Sequence, residues 1–330
     1  MRRFATTRRC RACRSAFDQG CAPVPYWTKR ARRSQARTGI SQANWSSIPM
    51  FTTLISVADL AARRDDAGWI VCDCRHDLAD VEAGRRAYGV SHLPGARFVH
   101  LDHDLSAPMT GRNGRHPLPD PERLAKRAGE LGIGNGTQVV AYDASGGYYA
   151  ARLWWTLRWL GHGAVAVLDG GWDAWVRAGQ PVTNQAPVIS PAHFLPRVRS
   201  DASIAAGQIA ARIGQRPPLL VDARSPDRYR GENETLDPVA GHIPGAINRF
   251  FKLNLEADGR FKPPAALRRE FSSALGNIPS SQVVHYCGSG VTACHNLLAM
   301  EVAGLGGSRL YPGSWSEWCS DPSRPGATGN

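Results

Sequence analysis

Short runs of consecutive apolar residues alternate along the chain with longer segments in which apolar residues recur at helical spacing. Such short runs are typical of strands that are buried on both faces of a parallel sheet. The longer segments predict helices, among them 149–160 and 292–302, the second with one apolar face. This alternation predicts an α/β fold in which helices cover both faces of a parallel sheet. The predicted strands are 70–73, 139–142, 165–168, 219–222 and 283–286.

Four segments from the first half of the chain recur in the same order in the second half. They are an apolar run ending in Asp-x-Arg, a His-x-Pro-Gly-Ala motif, a strand followed by a glycine-containing loop, and a pair of tryptophans. Four collinear matches at a nearly constant offset indicate a duplicated domain. The matched residues are Asp73 and Asp222, His92 and His242, Asp143 and Cys287, and Trp172 and Trp315, at offsets of 149, 150, 144 and 143.

The repeat predicts the domain organisation. We expect one copy over 50–182 and a second over 200–322, joined by a proline-containing linker at 183–199 that carries few charges. Residues 323–330 form a tail, and residues 1–49 form an extension before the first copy. Ligands of parallel α/β sheets bind beyond the carboxyl ends of the strands, so we expect the chemistry in the loops that follow the strands.

Composition and charge exclude several classes of function. The formal net charge is +12, but residues 1–49 hold eleven basic residues and one acidic residue. The rest of the chain has 29 basic and 27 acidic groups, so nucleic acid is not an expected partner of the two domains. The chain lacks an apolar run of about 18 residues, so we expect neither a transmembrane helix nor a membrane partner. Eight cysteines and no secretory leader predict a reducing, cytoplasmic location.

The extension at 1–49 has neither helical nor strand periodicity and is rich in arginine. We interpret it as a disordered tail or as an artefact of an upstream start site, because Met50 begins a plausible chain of its own. An organellar transit peptide would have a similar composition. Cys10 and Cys13 have the spacing of half a zinc site, but a second Cys or His pair is missing nearby, so we predict no metal site there.

The segment that follows the strand 283–286 is the strongest candidate for a catalytic loop. It places Cys287 at the carboxyl end of the strand and continues into a helix that starts near Thr292. Gly288 and Gly290 permit a tight turn whose backbone N–H groups form an anion-binding nest. A thiol in such a nest is expected to have a lowered pKa and to be a nucleophilic thiolate. Ser289 and Thr292 would add hydroxyl donors.

Several kinds of cysteine chemistry can be compared at this loop. A cysteine phosphatase needs an arginine six residues after the cysteine, and Ala293 occupies that position. No local signature of a papain-like protease is present. A small cage of uncharged donors instead suits one extra sulfur atom, carried by Cys287 as a persulfide. The alternative is a buried cysteine with a purely structural role.

The first copy has Asp143 at the position that corresponds to Cys287. A carboxylate cannot act as a sulfur nucleophile, and an anion nest would not hold both Asp143 and an anionic substrate. We therefore expect the first domain to be catalytically inactive and the second to carry the reaction. Other cysteines, such as Cys72, Cys74 and Cys294, are interpreted as packing residues.

The tandem copies, the two His-x-Pro-Gly-Ala motifs and the loop Cys287-Gly-Ser-Gly-Val-Thr-Ala resemble the tandem-domain rhodanese family of sulfurtransferases, most closely its mercaptopyruvate-type members. The resemblance covers about 50–322. It implies an active site in the cleft between the domains and a ping-pong mechanism through a cysteine persulfide. It further implies a small-molecule sulfur donor, a thiol or cyanide acceptor that includes thioredoxin-like proteins, and neither a metal nor an organic cofactor.

The resemblance also carries site residues. It makes Cys287 the nucleophile and Arg228 a substrate-binding arginine, whose planar fork can bind a carboxylate or a pair of oxygens. A relay of Ser289, His116 and Asp102 is implied for mercaptopyruvate-type enzymes. Asp102 has His100, His103 and Asp104 as neighbours in the sequence. The residues implied to surround the sulfur are Gly288, Ser289, Gly290, Val291 and Thr292.

The chain departs from both branches of the family in its charges. Mercaptopyruvate-type enzymes usually have a second substrate arginine shortly after the first, but 231–238 contains no basic residue. Thiosulfate-type enzymes have two basic residues after the cysteine, where this chain has Gly288 and Ser289. We favour 3-mercaptopyruvate as donor, with thiosulfate or another sulfane donor as alternatives. A non-catalytic binding module is a further alternative, against which Cys287 argues.

Overall fold

The computed structural model describes residues 50–215 and 218–330. The predictions for 1–49, including the cysteine pair in that extension, lie outside the described residues. In the described part, no helix is long and apolar enough to cross a membrane.

The first domain is built on a sheet of five parallel strands in the order β1-β5-β4-β2-β3. Neighbouring residues of its central strand face opposite sides, because Val139 and Ala141 belong to one apolar cluster and Val140 and Tyr142 to another. Both faces of this sheet are therefore buried, as the apolar runs predicted. The strands are β1 (Leu54–Ile55), β2 (Trp69–Asp73), β3 (Arg97–Phe98), β4 (Gln138–Tyr142) and β5 (Val165–Leu168).

Five helices accompany this sheet, and local sequence explains where two of them begin. Ser56 caps the first helix by accepting a hydrogen bond from the Asp59 N–H, and Asp120 caps the third helix in the same way, with Pro121 as its first residue. The helices are α1 (Val57–Arg63), α2 (Ala83–Val90), α3 (Pro121–Glu130), α4 (Tyr148–Trp159) and α5 (Gly171–Arg177).

The second domain repeats this plan with a sheet of four parallel strands in the order β7-β6-β8-β9. Its strands are β6 (Leu219–Asp222), β7 (Ile247–Asn248), β8 (Val283–Tyr286) and β9 (Arg309–Leu310). Its α-helices are α6 (Ala206–Ala210), α7 (Pro226–Arg230), α8 (Pro264–Leu275), α9 (Thr292–Val302) and α10 (Ser314–Trp318). Three 3₁₀ turns lie at Ser200–Ala202, Phe251–Asn254 and Ser280–Gln282.

The predicted α/β fold is confirmed, and all five predicted strands agree with the structure to within one residue. The strands that the apolar pattern did not predict, β1, β3, β7 and β9, are each two residues long. A two-residue strand at or near a sheet edge contains too few side chains to produce a pattern, and its pairing comes from the sheet beside it.

Helices α4 and α9 pack against each other and join the two domains. One apolar cluster contains Trp154 of α4 and Leu298 of α9, so the domains share a core. The predicted apolar face of α9 is largely buried, and His295 and Asn296 on its other side are buried as well. The helix lies between its own sheet and the neighbouring domain, so neither face reaches solvent.

The paired histidines His92 and His242 hold corresponding turns. Each ring nitrogen Nδ1 lies 2.8 Å from a backbone carbonyl oxygen, that of Tyr88 in the first domain and that of Tyr229 in the second. Each ring also stacks on the tyrosine whose carbonyl it contacts. These contacts agree with a structural role for both histidines.

Two buried histidines of the second domain predict a loss of stability in acid. Burial lowers the pKa of His285 to about 3 and that of His295 to about 4, whereas both are near 6.5 in an unfolded chain. Below about pH 6.5 these two histidines therefore bind protons in the unfolded state and stay neutral in the native state. The stability contributed by the neutral rings is present above that pH and is lost as the pH falls toward the two folded-state values.

We expect these two histidines together to contribute a fall of about 2–4 kcal/mol in the free energy of unfolding between pH 7.5 and pH 5, as measured by urea unfolding. His295→Gln should remove roughly half of this pH-dependent loss, because its position then no longer titrates. His103→Gln, at a largely exposed histidine, is the matched control. An unchanged pH dependence of stability in His295→Gln would contradict the conclusion that protonation of His295 destabilises the protein in acid.

Candidate active site

The loop after β8 positions Cys287 at the carboxyl end of the strand and almost out of contact with solvent, 2% exposed. The Gly290 N–H points at its sulfur, with 3.1 Å between nitrogen and Sγ. Gly290 has a φ of 78°, in the left-handed region that favours glycine. The Cys287 N–H points elsewhere and donates to Ser314 Oγ at 3.1 Å.

Gly288 differs from Gly290 in its backbone conformation and in its surroundings. Its φ lies outside the left-handed region, so its conformation does not require glycine. A Cβ at this position would instead lie 2.7 Å from Arg115 Nη2 of the first domain. The sequence interpretation, in which both glycines serve the backbone turn, therefore applies to Gly290 and not to Gly288.

A buried arginine of the first domain supports the loop from behind. Arg152, on α4, is fully buried, and its Nη1 donates to the Gly290 carbonyl at 2.9 Å. Its Nη2 donates to the carbonyl of His116, also at 2.9 Å. One guanidinium thus ties the cysteine loop to the segment that carries His116. Sequence reasoning missed this residue, because nothing in the pattern of an otherwise apolar helix indicates a contact in another domain.

The corresponding loop of the first domain is filled by its own side chain. The Asp143 carboxylate is fully buried and accepts hydrogen bonds from four backbone N–H groups, at 2.7 to 2.9 Å. The donors are Ser145, Gly147, Tyr149 and Ala150. Burial raises the pKa of this carboxyl, and the four hydrogen bonds oppose that rise. An anionic ligand would have to displace Asp143 to use the same donors.

Ser289, His116 and Asp102 are brought together across the domain boundary. Ser289 Oγ lies 2.7 Å from His116 Nδ1, and His116 Nε2 lies 3.2 Å from Asp102 Oδ1. A carboxylate only accepts, so the proton of a neutral imidazole sits on Nε2, and Nδ1 accepts from the serine hydroxyl. The hydroxyl of Ser289 is thus directed at His116. The neighbouring Asp104 instead accepts from Arg127 and from the His100 N–H.

The electrostatics around these three side chains favour a neutral His116 beside an ionised Asp102. Burial lowers the pKa of His116, although the hydrogen bond to Asp102 works in the opposite direction. The hydrogen bond from His116 lowers the pKa of Asp102 more than its partial burial raises it. The chain Ser289–His116–Asp102 is therefore arranged to accept or return a proton at the serine oxygen.

Two carboxylates of the segment 231–238 hold Arg228 in place. Its Nε and Nη2 donate to Glu234, at 2.8 to 3.1 Å, and Nη2 lies 3.3 Å from Asp237 Oδ2. Burial works to raise the pKa of Glu234, but the hydrogen bonds from Arg228 and from nearby backbone N–H groups lower it overall. Residues 231–238 thus orient arginines instead of supplying one.

A cavity of about 680 Å³ opens beside Cys287 and is lined by both domains. Tyr148 and Arg115 come from the first domain, and Arg228 and Thr292 from the second. A second cavity of about 490 Å³ reaches His116 and Asp102, and Leu78, Arg115 and Leu236 line both. The predicted residues Gly288, Ser289 and Val291 also line the first cavity.

Two groups of side chains near Asp102 have the spacing of metal ligands: His76, His100 and Asp102, and Glu82, His100 and His103. His100 belongs to both, but its Nδ1 accepts from the N–H groups of Asp102 and His103. Its proton is therefore on Nε2, and neither ring nitrogen has a lone pair available for a metal. Each group then retains two ligands, too few for a typical protein zinc site.

The rhodanese-like domain family matches the chain twice, over residues 56–178 and 205–321. A probable 3-mercaptopyruvate sulfurtransferase of Pseudomonas aeruginosa is 48% identical over 84% of this chain and 98% of that protein. The 3-mercaptopyruvate sulfurtransferase of Homo sapiens is 37% identical over 77% of this chain and 83% of that protein. The thiosulfate sulfurtransferase of Rattus norvegicus is 35% identical, over 71% and 79% respectively.

Solved structures agree with this relationship. The 3-mercaptopyruvate sulfurtransferase of Leishmania major has a TM-score of 0.73 and 29% identity, covering 81% of this chain and 74% of that one. SseA of Escherichia coli, described as a 3-mercaptopyruvate sulfotransferase, has a TM-score of 0.71 and 28% identity, covering 80% and 99%. Two parallel-sheet domains, a cysteine loop and relatives of this kind define an enzyme of the sulfurtransferase class. The chain belongs to the rhodanese-like domain family.

Proposed function

We propose that the chain transfers sulfur from 3-mercaptopyruvate through a persulfide on Cys287. The observation that carries the donor assignment is the hydrogen-bonded chain from Ser289 through His116 to Asp102 beside the cysteine. A proton relay is useful when the leaving group must be protonated, as a pyruvate enolate must be. The 48% identical relative from Pseudomonas aeruginosa, itself named for this donor, supports the same assignment.

The donor is bound first. Arg228 lies over the loop, with Nη1 and Nη2 within 3.6 Å of the point where a Cβ of residue 288 would be. A guanidinium at this place can bind the carboxylate of the donor and direct its sulfur toward Cys287. Thr292 and Val291 complete the wall of the cavity near the sulfur.

Sulfur transfer then follows as a nucleophilic substitution. The Cys287 thiolate attacks the donor sulfur, a sulfur–sulfur bond forms, and the carbon–sulfur bond of the donor breaks. The electron pair of the broken bond goes to the departing enolate, which takes up a proton at carbon to become pyruvate. The terminal sulfur of the persulfide loses the proton it carried as a thiol. The Gly290 N–H, which donates to Sγ, stabilises the Cys287 thiolate before it attacks.

The relay of Ser289, His116 and Asp102 moves the proton from the terminal sulfur to the enolate carbon. Ser289 exchanges its hydroxyl proton with the reacting groups, and His116 takes up and returns the proton at Nδ1. Asp102 keeps the imidazole in the required tautomer and stabilises its charged form. In the second half-reaction a thiol or cyanide removes the terminal sulfur. A thioredoxin-like protein is the proposed thiol acceptor, and the cytoplasm is the proposed compartment.

The domain roles form part of the proposal. Residues 200–322 carry catalysis, and residues 50–182 form an inactive copy that contributes His116 and Asp102 to the shared site. Two features support this division: the Asp143 carboxylate occupies the N–H donors of its own loop, and the nucleophile lies in the second copy. The linker 183–199 and the tail 323–330 flank the catalytic copy.

A comparison of donors tests the proposed function. We expect kcat/KM for 3-mercaptopyruvate to exceed that for thiosulfate by at least about tenfold, or ~1.4 kcal/mol, when cyanide is the acceptor. The experiment measures steady-state thiocyanate formation with each donor under the same conditions. The thiosulfate relatives, 41% identical in Mycobacterium tuberculosis and 35% in rat, make thiosulfate the second candidate donor. A preference for thiosulfate would refute the proposed donor, and activity with neither would favour a binding module.

A further inference from the structure

We propose that Arg115, from the first domain, is the second guanidinium that binds the anionic end of the sulfur donor. The site is then completed across the domain boundary, by Arg228 from one side and by Arg115 from the other. The inference rests on the proposed function in one respect, namely that the donor carries a carboxylate. It assigns a binding role to a residue that the sequence marked only as the neighbour of His116.

Both guanidinium groups converge on the residue that follows the nucleophile. A Cβ at position 288 would lie 2.7 Å from Arg115 Nη2, 3.5 Å from Arg228 Nη2 and 3.6 Å from Arg228 Nη1. Both arginines line the cavity that contains Cys287. An anion held between them would therefore lie directly beside the sulfur that attacks.

One buried carboxylate holds the two arginines in this arrangement. Asp237 Oδ1 pairs with Arg115 Nη1, and Asp237 Oδ2 pairs with Arg228 Nη2 at 3.3 Å. The Arg115 backbone N–H also donates to Ser316 Oγ in the second domain, at 3.1 Å. Burial raises the pKa of Asp237, and the charge of Arg115 opposes that rise. The bridge fixes the guanidinium groups before the donor arrives, which lowers the entropic cost of binding.

The bridge leaves donors free on the cavity side. Arg115 Nη2 and Arg228 Nη1 have no hydrogen-bond acceptor among the described residues, and the first of them abuts the cysteine loop. An α-keto acid presents a carboxylate and an adjacent carbonyl oxygen, which two guanidinium forks can bind together. The cysteine loop has no basic residue at 288 or 289, and the segment 231–238 has no arginine or lysine. Arg115 supplies the second positive charge, beside that of Arg228, for binding an anion.

Alkylation of Cys287 with two reagents of matched shape and different charge tests Arg115 without relying on the natural donor. Iodoacetate carries a carboxylate next to its reactive carbon, whereas iodoacetamide has the same shape without the charge. We expect Arg115→Gln to lower the ratio of the iodoacetate rate to the iodoacetamide rate at Cys287 by about tenfold, because a charge-assisted hydrogen bond to the carboxylate is lost. Arg115→Lys, which keeps the charge but not the fork, should have an intermediate ratio.

The control is Arg123→Gln, which removes one positive charge from α3 at the adjoining cavity. Its ratio should remain within about twofold of the parent ratio, because screening weakens distant charges. Gly288→Ala should reproduce the Arg115→Gln ratio, since its Cβ displaces the Arg115 side chain while the φ of residue 288 tolerates alanine. Near-ultraviolet circular dichroism would verify that each variant is folded.

The steady-state counterpart is a rise of about tenfold in KM for 3-mercaptopyruvate in Arg115→Gln, with kcat within about threefold of the parent. An alkylation ratio unchanged in Arg115→Gln but reduced in Arg228→Gln would overturn the inference. A parent enzyme that prefers thiosulfate would refute the proposed donor, and the alkylation ratio would still decide the role of Arg115. The two failures are thus distinguishable.

Discussion

Cys287→Ser should lower sulfur transfer to cyanide by at least about 1000-fold, or ~4 kcal/mol, with either 3-mercaptopyruvate or thiosulfate as donor. A serine hydroxyl is not ionised at neutral pH and does not form a persulfide, so the first half-reaction stops. The change removes one sulfur atom from a buried loop and leaves its backbone hydrogen bonds in place, so the protein should remain folded.

The matched control is Cys319→Ser. Of the cysteines in the described residues, Cys319 is the one that is partly exposed, and burial raises the pKa of its thiol to about 11. Intact-protein mass spectrometry after incubation with donor alone should detect one added sulfur atom in the parent and in Cys319→Ser, and none in Cys287→Ser. Persulfide formation or turnover in the Cys287 variant would show that another group carries the sulfur.

Breaking the relay should separate the two donors from each other. We expect Ser289→Ala and His116→Asn to lower kcat with 3-mercaptopyruvate by about 100- to 1000-fold, the usual contribution of general acid–base catalysis. Turnover of thiosulfate should remain within about threefold of the parent, because sulfite leaves as a stable anion and needs no proton. Equal losses with both donors would contradict a proton-transfer role and indicate a structural one.

The pH profile adds a readout that a purely structural role would not change. Because burial lowers the pKa of His116, the acid limb of kcat for 3-mercaptopyruvate should lie below pH 6.5. The hydrogen bond to Asp102 raises that pKa, so Asp102→Asn should move the acid limb to still lower pH while kcat falls. Asp102 would thus be a positioning residue that acts through His116. A limb that stays in place in Asp102→Asn would contradict this role.

The amino-acid sequence was sufficient for the fold class and the duplication, and it singled out the loop after β8 as the candidate catalytic loop. Apolar runs that end in Asp-x-Arg predict buried parallel strands because backbone and side-chain preferences act locally. The strand, the turn at Gly290 and the helix after Cys287 are likewise contiguous, so a short segment contains the information for this strand–turn–helix unit. The replacement by Asp143 in the first copy was equally visible, and in the structure that carboxylate occupies its own loop.

The partners of that loop follow from the packing of the two domains. Ser289 and His116 are 173 residues apart in the chain, and their hydrogen bond exists because α4 and α9 bring the two sheets together. Arg115, Arg152 and Asp237 have no local signature, because each acts on a group in a distant segment. A linear pattern records the spacing of residues within one element, whereas the meeting of two surfaces depends on every contact between them. For that reason Cys287 could be proposed as the nucleophile from the sequence alone, whereas the contacts of Arg115 and Asp237 with its loop and with Arg228 were visible only in the folded protein.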